Sequence, residues 1–473
     1  MNQPGSSEQA DNSTATSAIT VDAVVLGMGP GGEDVAGTLA EAGLSVVGID
    51  GGLVGGECPY WGCVPSKMMI RAAHLLAEAR RIPGVAGSST VEPDWAPVAA
   101  RIRAEATDDW DDTVAVERFE GKGGTFVRGH GRLVASDTVE VDGQRYTATR
   151  AVVIATGTTA AVPPISGLDK TPYWTNHEAI EASELPASLV VLGGGAIGVE
   201  LAQVFARFGV EVTVVEMADR LLPQEEPSAG EILADTFRAE GITVVVGTGA
   251  DTVSHDPAGS GTFRIELADG TELQAEKLLV ATGRKVDLAG IGAGVLGLDD
   301  SAGSLPVDEH LRVTDGVWAV GDVTGKGAFT HVAAYQSKIA AADILGKTHT
   351  PADYAALPRV TFTDPEVGSV GLTTQAARDA GIQVATGRAE VPSTARGWIH
   401  KTGNEGFIHL VADQQRGVLV GATAMGPNGG EVLGLLTLAV HARTPIEQLR
   451  SMIYAYPTFH RGIEDAVRSL SPD

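Results

Sequence analysis

The chain is 473 residues long and 43% hydrophobic, with a formal net charge of -26 and two cysteines. That length buries a large core without disulfide staples and divides into several domains, and the acidity argues against nucleic acid or an anionic membrane surface as partner, since Lys and Arg make most phosphate contacts. No run of about eighteen apolar residues occurs, and the Ser-, Thr-, Gln- and Asn-rich start lacks the basic and apolar regions of a signal peptide, so a cytoplasmic protein with a disordered tail over 1–20 is expected.

From Val21 to Asp50 the segment VDAVVLGMGPGGEDVAGTLAEAGLSVVGID runs from an apolar strand through a glycine turn into an alanine-rich helix, then into a second strand ending in an acid. This is the pattern of a dinucleotide-binding unit. Gly27 permits the tight turn, Gly29 lets backbone approach a pyrophosphate, Gly32 allows close helix packing, and Asp50 is placed for a ribose hydroxyl.

Both cysteines follow in GGECPYWGCVPSK, Gly55 to Lys67. In a reducing cytoplasm such a pair is metal-binding or redox-active more often than structural. Zinc needs two more ligands nearby, none stands around this segment, and no metal site is expected. Pro59 fits a first helical position, so the pair is expected to straddle a helix start. Five residues of regular helix rise about 7.5 Å, beyond the roughly 4.4 to 6.8 Å between Cα atoms that a disulfide tolerates. The opening turn must therefore be irregular for a bond to form, and a helix start there lowers the pKa of the thiol it faces.

The first pattern recurs at SLVVLGGGAIGVELAQVFARFGVEVTVVE, Ser188 to Glu216, with Gly193, Gly195 and Gly198 in the glycine roles and Glu216 at the acidic end. The chain therefore reads as binding two dinucleotides. A carboxylate at Glu216 accepts hydrogen bonds from a free ribose diol and repels the extra phosphate of NADP, so NAD is expected here over NADP, although Arg220 lies close enough to soften the repulsion.

Two dinucleotide folds with a CxxxxC pair between them resemble the flavoprotein disulfide reductases, the family of dihydrolipoamide dehydrogenase, glutathione reductase and mercuric reductase. The likeness extends through the ATG turns Ala155–Gly157 and Ala281–Gly283, VWAVGDVTG around Asp322, and LPRVTFTDPEVGSVGLT at Leu357–Thr373. It implies an α/β chain of two Rossmann-like domains, for FAD and NAD, plus a C-terminal α+β dimerisation domain. The implied boundaries are 21–160 for the first part of the FAD domain, 161–285 for the NAD domain, 286–350 for the second FAD part and 351–473 for dimerisation. By the same resemblance Gly131, Thr156, Gly157, Asp322 and Thr330 join the FAD set with Lys67, and Gly283 joins the NAD set. A helix beginning near Thr330 would aim its positive end at the flavin. Cys63 would face the flavin and Cys58 would exchange with a small disulfide or dithiol substrate, with Lys67 paired to Glu200.

The chain departs from the family pattern in two places. Glu57 and Tyr60 replace the usual threonine and asparagine beside the cysteines, with Trp61 adjacent. Near the C-terminus, YAYPTFHRGIED puts Tyr456 where the family has its catalytic histidine and Arg461 where it has the orienting glutamate. Tyrosine is a poor base at neutral pH, and His460, on the same face if the segment is helical, is the candidate replacement. The expected activity is NADH-dependent reduction of a small disulfide by a homodimer. The alternatives are a flavoprotein passing electrons to a quinone or metal ion and a non-catalytic flavin-binding subunit.

Overall fold

The structure is a computed structural model that describes residues 17–256 and 261–472. The expected tail lies outside the described residues as far as residue 16, and by Ile19 the chain is already strand. The chain divides into two compact units.

The first unit gathers, among the described residues, 17–56, 112–158 and 286–352. Its main sheet runs in the order Arg312–Thr314, Val317–Ala319, Gln144–Ile154, Ile19–Leu26, Val46–Asp50, Thr125–Arg128. Ile19–Leu26 pairs in parallel with both neighbours, setting Leu26 opposite Ile49 and Ile154. A parallel sheet is covered on both faces, so its central strand is apolar without alternation. The period of two survives in destination. Ala23 and Val25 join a core with Val35 and Leu39 of the helix Pro30–Glu41 and Ala340 of the helix Thr330–Ile344. Val24 and Leu26 join the opposite core with Leu133, Val139 and Leu288.

The second unit gathers residues 57–111, 159–285 and 353–473. A four-stranded parallel sheet, ordered Thr243–Val246, Glu211–Glu216, Ser188–Leu192, Lys277–Val280, repeats the dinucleotide architecture. The helix Ala196–Arg207 follows its glycine turn, and the helix Cys63–Arg81 shares its core through Met69, Ile70 and Ala73. The C-terminal part is a six-stranded antiparallel sheet with the helix Gly429–His441 against it, where Leu433 and Leu436 meet Leu410 and Ala424. Among the described residues no helix is long and apolar enough to cross a membrane.

Candidate redox active site

The two glycine turns are built alike. At Gly27, φ is +96° and a side chain would run into the Ala155 carbonyl; at Gly193, φ is +109° and the obstacle is the Ala281 carbonyl. Only glycine adopts that conformation without steric cost. Gly29 and Gly195 are the N-caps of two helices of 12 residues each, so unpaired helix N–H groups surround each turn. The acid that ends the second strand latches each turn. Met28 N–H donates to Asp50 Oδ2 at 2.6 Å, and Gly194 N–H donates to Glu216 Oε2 at 2.6 Å, both 22 residues apart. Gly52 N–H and Ala218 N–H take the other oxygens at 2.7 Å. A carboxylate has about four lone-pair sites, which leaves each acid capacity for a ribose.

Around the first turn, Thr158 Oγ1 donates to Asp322 Oδ2 at 2.9 Å, and the buried Thr156 Oγ1 has no hydrogen-bond partner. An orphaned hydroxyl beside a glycine turn at a helix start fits a nucleotide cofactor. The helix expected near Thr330 runs Thr330–Ile344. Gly131 has a packing reason instead, since a side chain there would press on Leu26, Ile49 and Val139. In the second unit Gly198 packs against the Gly193 carbonyl, while Gly195 and Gly283 have open space beside them.

The cysteine segment is two helical pieces. Glu57–Tyr60 forms one turn, the chain breaks at Trp61–Gly62, and Cys63 starts a helix of 19 residues. The irregularity expected between the cysteines is thus a break; Pro59 is the third residue of the short turn, not the first of the long helix. Cys58 is half-buried and Cys63 exposed. One helical turn beyond Cys63, Lys67 Nζ meets Glu200 Oε2 at 2.9 Å; Glu200 is 6% exposed and also accepts Phe362 N–H at 2.8 Å.

Glu57 has partners that its motif position does not reveal. His177 Nε2 lies 2.6 Å from Oε1, and Asn176 Nδ2 donates to Oε2 at 2.9 Å and to the Trp61 carbonyl at 2.8 Å. Arg284 Nη1 stands 3.6 Å from Oε2. Burial pushes the Glu57 carboxyl up, but the His177 hydrogen bond and the Arg284 guanidinium outweigh it and hold it below the usual range. Trp61 stacks on His177 at 4.3 Å and 2°. None of His177, Asn176 or Arg284 sits in a motif read from the sequence. The capping pattern Thr175–Glu178, seen as a capping box, was the signal available nearby.

Residues 21–337 match the pyridine nucleotide-disulphide oxidoreductase family, and residues 357–467 match its dimerisation domain. The chain belongs to this family. It is 34% identical over 459 residues to the mercuric reductase of Acidithiobacillus ferrooxidans, covering 94% of this chain and 82% of that one. It is 34% identical over 470 residues to the dihydrolipoyl dehydrogenase of Chlorobaculum tepidum, covering 97% and 98%. The crystal structure of LpdA from Mycobacterium tuberculosis matches at TM-score 0.81 and 26% identity, over 95% of this chain and 99% of that one. RclA from Escherichia coli, a HOCl-induced flavoprotein disulfide reductase, matches at TM-score 0.82 and 25% identity, over 94% and 99%. The protein is therefore an enzyme of a family that uses FAD and NAD(P)H.

Against the family pattern the C-terminal segment stays divergent. Tyr456 is 72% exposed. The segment from Tyr456 to His460 is turn and bend and not helix, so the condition for these two residues to share a helix face is not met. His460 Nε2 lies 3.4 Å from Thr458 Oγ1, a long contact. Arg461, in the glutamate's place, pairs with Glu464 at 2.5 Å.

Proposed function

We propose that the enzyme passes reducing equivalents from NADH to a small disulfide through Cys58 and Cys63, as a cytoplasmic homodimer. One observation carries the reading: Cys63 heads a long helix, and Lys67 one turn later is locked to the buried Glu200. A helix start favours the thiolate, the reactive form of the pair. Gly27, Gly29, Gly32, Asp50, Thr156, Gly157 and Asp322 would hold FAD, which when bound would supply two-electron chemistry between nicotinamide and dithiol. The chain's own part is thiol exchange. The Cys58 thiolate attacks one sulfur of the substrate disulfide, that S–S bond breaks, and the first substrate thiolate leaves. The Cys63 thiolate then attacks the Cys58 sulfur, the mixed disulfide breaks, and the second thiolate leaves. The substrate has gained two electrons and the pair has lost them; two protons complete the product dithiol. Tyr456 and His460, reaching across the dimer, are the donors in register for those protons.

Arg220 supports NAD over NADP: it is tied back to Asp219 at 3.0 Å and to the Pro223 carbonyl at 2.9 Å, which keeps it from cancelling the Glu216 charge. The homodimer is supported by the dimerisation-domain match and by Trp398, Leu438 and Ile453, which are 75%, 64% and 95% exposed there. Tyr456 in the histidine's place favours a second reading, electron delivery to a quinone or other non-thiol acceptor. Anaerobic NADH titration followed by a panel of disulfides and quinones tests both. The proposal expects a long-wavelength thiolate-to-flavin band, lost in Cys63→Ser, together with disulfide turnover; turnover with quinones alone sinks it.

A further inference from the structure

We propose that His310, Asp343 and His349 form a binding site for a divalent metal ion of zinc type, within the first unit. His310 stands before the edge strand Arg312–Thr314, Asp343 in the last turn of the helix Thr330–Ile344, and His349 in the loop beyond. One donor atom from each lies within 4.8 Å of the others. His349 and Asp343 are 13% and 10% exposed at their side chains, so the pair is desolvated.

The hydrogen bonds around the cluster prepare the donors. His349 Nδ1 lies 3.2 Å from the Thr350 carbonyl, which only accepts, so Nδ1 carries the proton. A backbone carbonyl in that place is the usual outer partner of a metal-bound imidazole. In the neutral imidazole, Nε2 then turns its lone pair toward Asp343 Oδ1 at 3.3 Å. Two lone pairs facing each other repel unless a proton or a cation lies between them. The separation suits the cation: two donors on a tetrahedral ion at about 2.0 to 2.1 Å lie about 3.3 Å apart. His310 adds an independent sign: its Nδ1 is buried with no hydrogen-bond partner, a cost removed when that nitrogen takes the ion, while its Nε2 stands 3.6 Å from Glu309 Oε1.

Asp343 is fixed by Arg312, whose Nε and Nη2 donate to Oδ2 and Oδ1 at 2.6 and 2.8 Å, and by Trp318 Nε1 at 2.9 Å. Those contacts leave a lone pair on Oδ1. The guanidinium charge beside the site weakens it without blocking it. Two imidazoles and one carboxylate suit zinc and its borderline neighbours; calcium and magnesium require more oxygen donors.

The test uses full-length, FAD-loaded, oxidised enzyme stripped with a chelator and titrated with Zn²⁺ against a chromophoric competitor. One ion per chain is expected, with affinity at least about tenfold weaker in His310→Ala, His349→Ala and His349→Asn, the last of which keeps a hydrogen-bonding side chain. Absence of binding by the unaltered enzyme, or affinity unchanged in all three variants, overturns the proposal; the second outcome would put the ion elsewhere, the cysteines included. Should a variant lose its flavin, peptide mapping of the unaltered enzyme after diethyl pyrocarbonate treatment decides: zinc-dependent protection of His310 and His349 supports the site, and equal modification with and without zinc removes it.

Discussion

Glu57 shows how one replaced residue acquires a role its motif does not encode. Its carboxylate is adjacent in sequence to Cys58, and a negative neighbour disfavours a thiolate. Glu57→Gln should therefore make the Cys58 thiol easier to ionise, an effect blunted because His177 and Arg284 already offset the charge. The pH dependence of alkylation of the reduced enzyme measures the shift, and an unchanged or upward midpoint would count against the account. Glu216 belongs to the same scale. Its latch on Gly194 and Ala218 orients it, and losing hydrogen bonds to a charged group costs about 1.5–3 kcal/mol. Glu216→Ala should reduce kcat/KM for NADH by about tenfold or more and move the NADH-to-NADPH ratio of kcat/KM toward NADPH, both read from steady-state kinetics.

Among the elements, the glycine turns and the helix Ala196–Arg207 make opposite demands. Gly27 holds φ +96° against the Ala155 carbonyl, so Gly27→Ala meets backbone strain of order 1–3 kcal/mol and a collision as well. That variant should purify with little or no flavin, judged by visible absorbance per chain. The helix Ala196–Arg207 ends on a charge, and Arg207 is 2% exposed at its side chain. It pairs with Asp364 at 2.8 Å and Glu240 at 2.6 Å, and Arg81 reaches Asp364 at 2.7 Å. Arg207→Met leaves two half-buried carboxylates short of a partner, although Asp364 keeps Arg81, so the loss should fall below the roughly 3–5 kcal/mol of a fully buried broken pair and show as a lower urea midpoint. Burial raises the Asp364 carboxyl, but Arg207 and Arg81 more than reverse it and depress it below its usual range. Its contribution is therefore present above the unfolded pKa of about 3.9 and lost as pH falls through the depressed folded value. Stability measured against pH on the acid side should fall less steeply in Arg207→Met than in the unaltered enzyme.

At the scale of the molecule, the chain interleaves its units, three segments in each. Pairing of two chains should depend on the exposed apolar residues of the dimerisation domain. Ile453→Asp combined with Leu438→Asp is expected to halve the mass in sedimentation equilibrium and to abolish disulfide turnover while the flavin stays bound. A dimer surviving both changes would move the interface elsewhere.

The sequence by itself determined what lies close along the chain: both glycine turns with their acids and the close spacing of the two cysteines; the helix from Thr330 was expected only through the family resemblance. The turns are dictated by local backbone constraints, positive φ, strand length and helix start, that a run of about 30 residues contains whole. Lys67 and Glu200 were legible only through their motif positions, since 133 residues separate them. Only the tertiary structure decided the company of Glu57, where Asn176 is 119 residues away, the buried pairing of Arg207 with Asp364 at a separation of 157, and the meeting of His310 with Asp343 and His349. It also decided that the turn carrying Tyr456 is not helical. A polar side chain far from any motif reads as solvated surface; it gains a partner, a shifted pKa or a ligand only when folding desolvates it beside a complementary group.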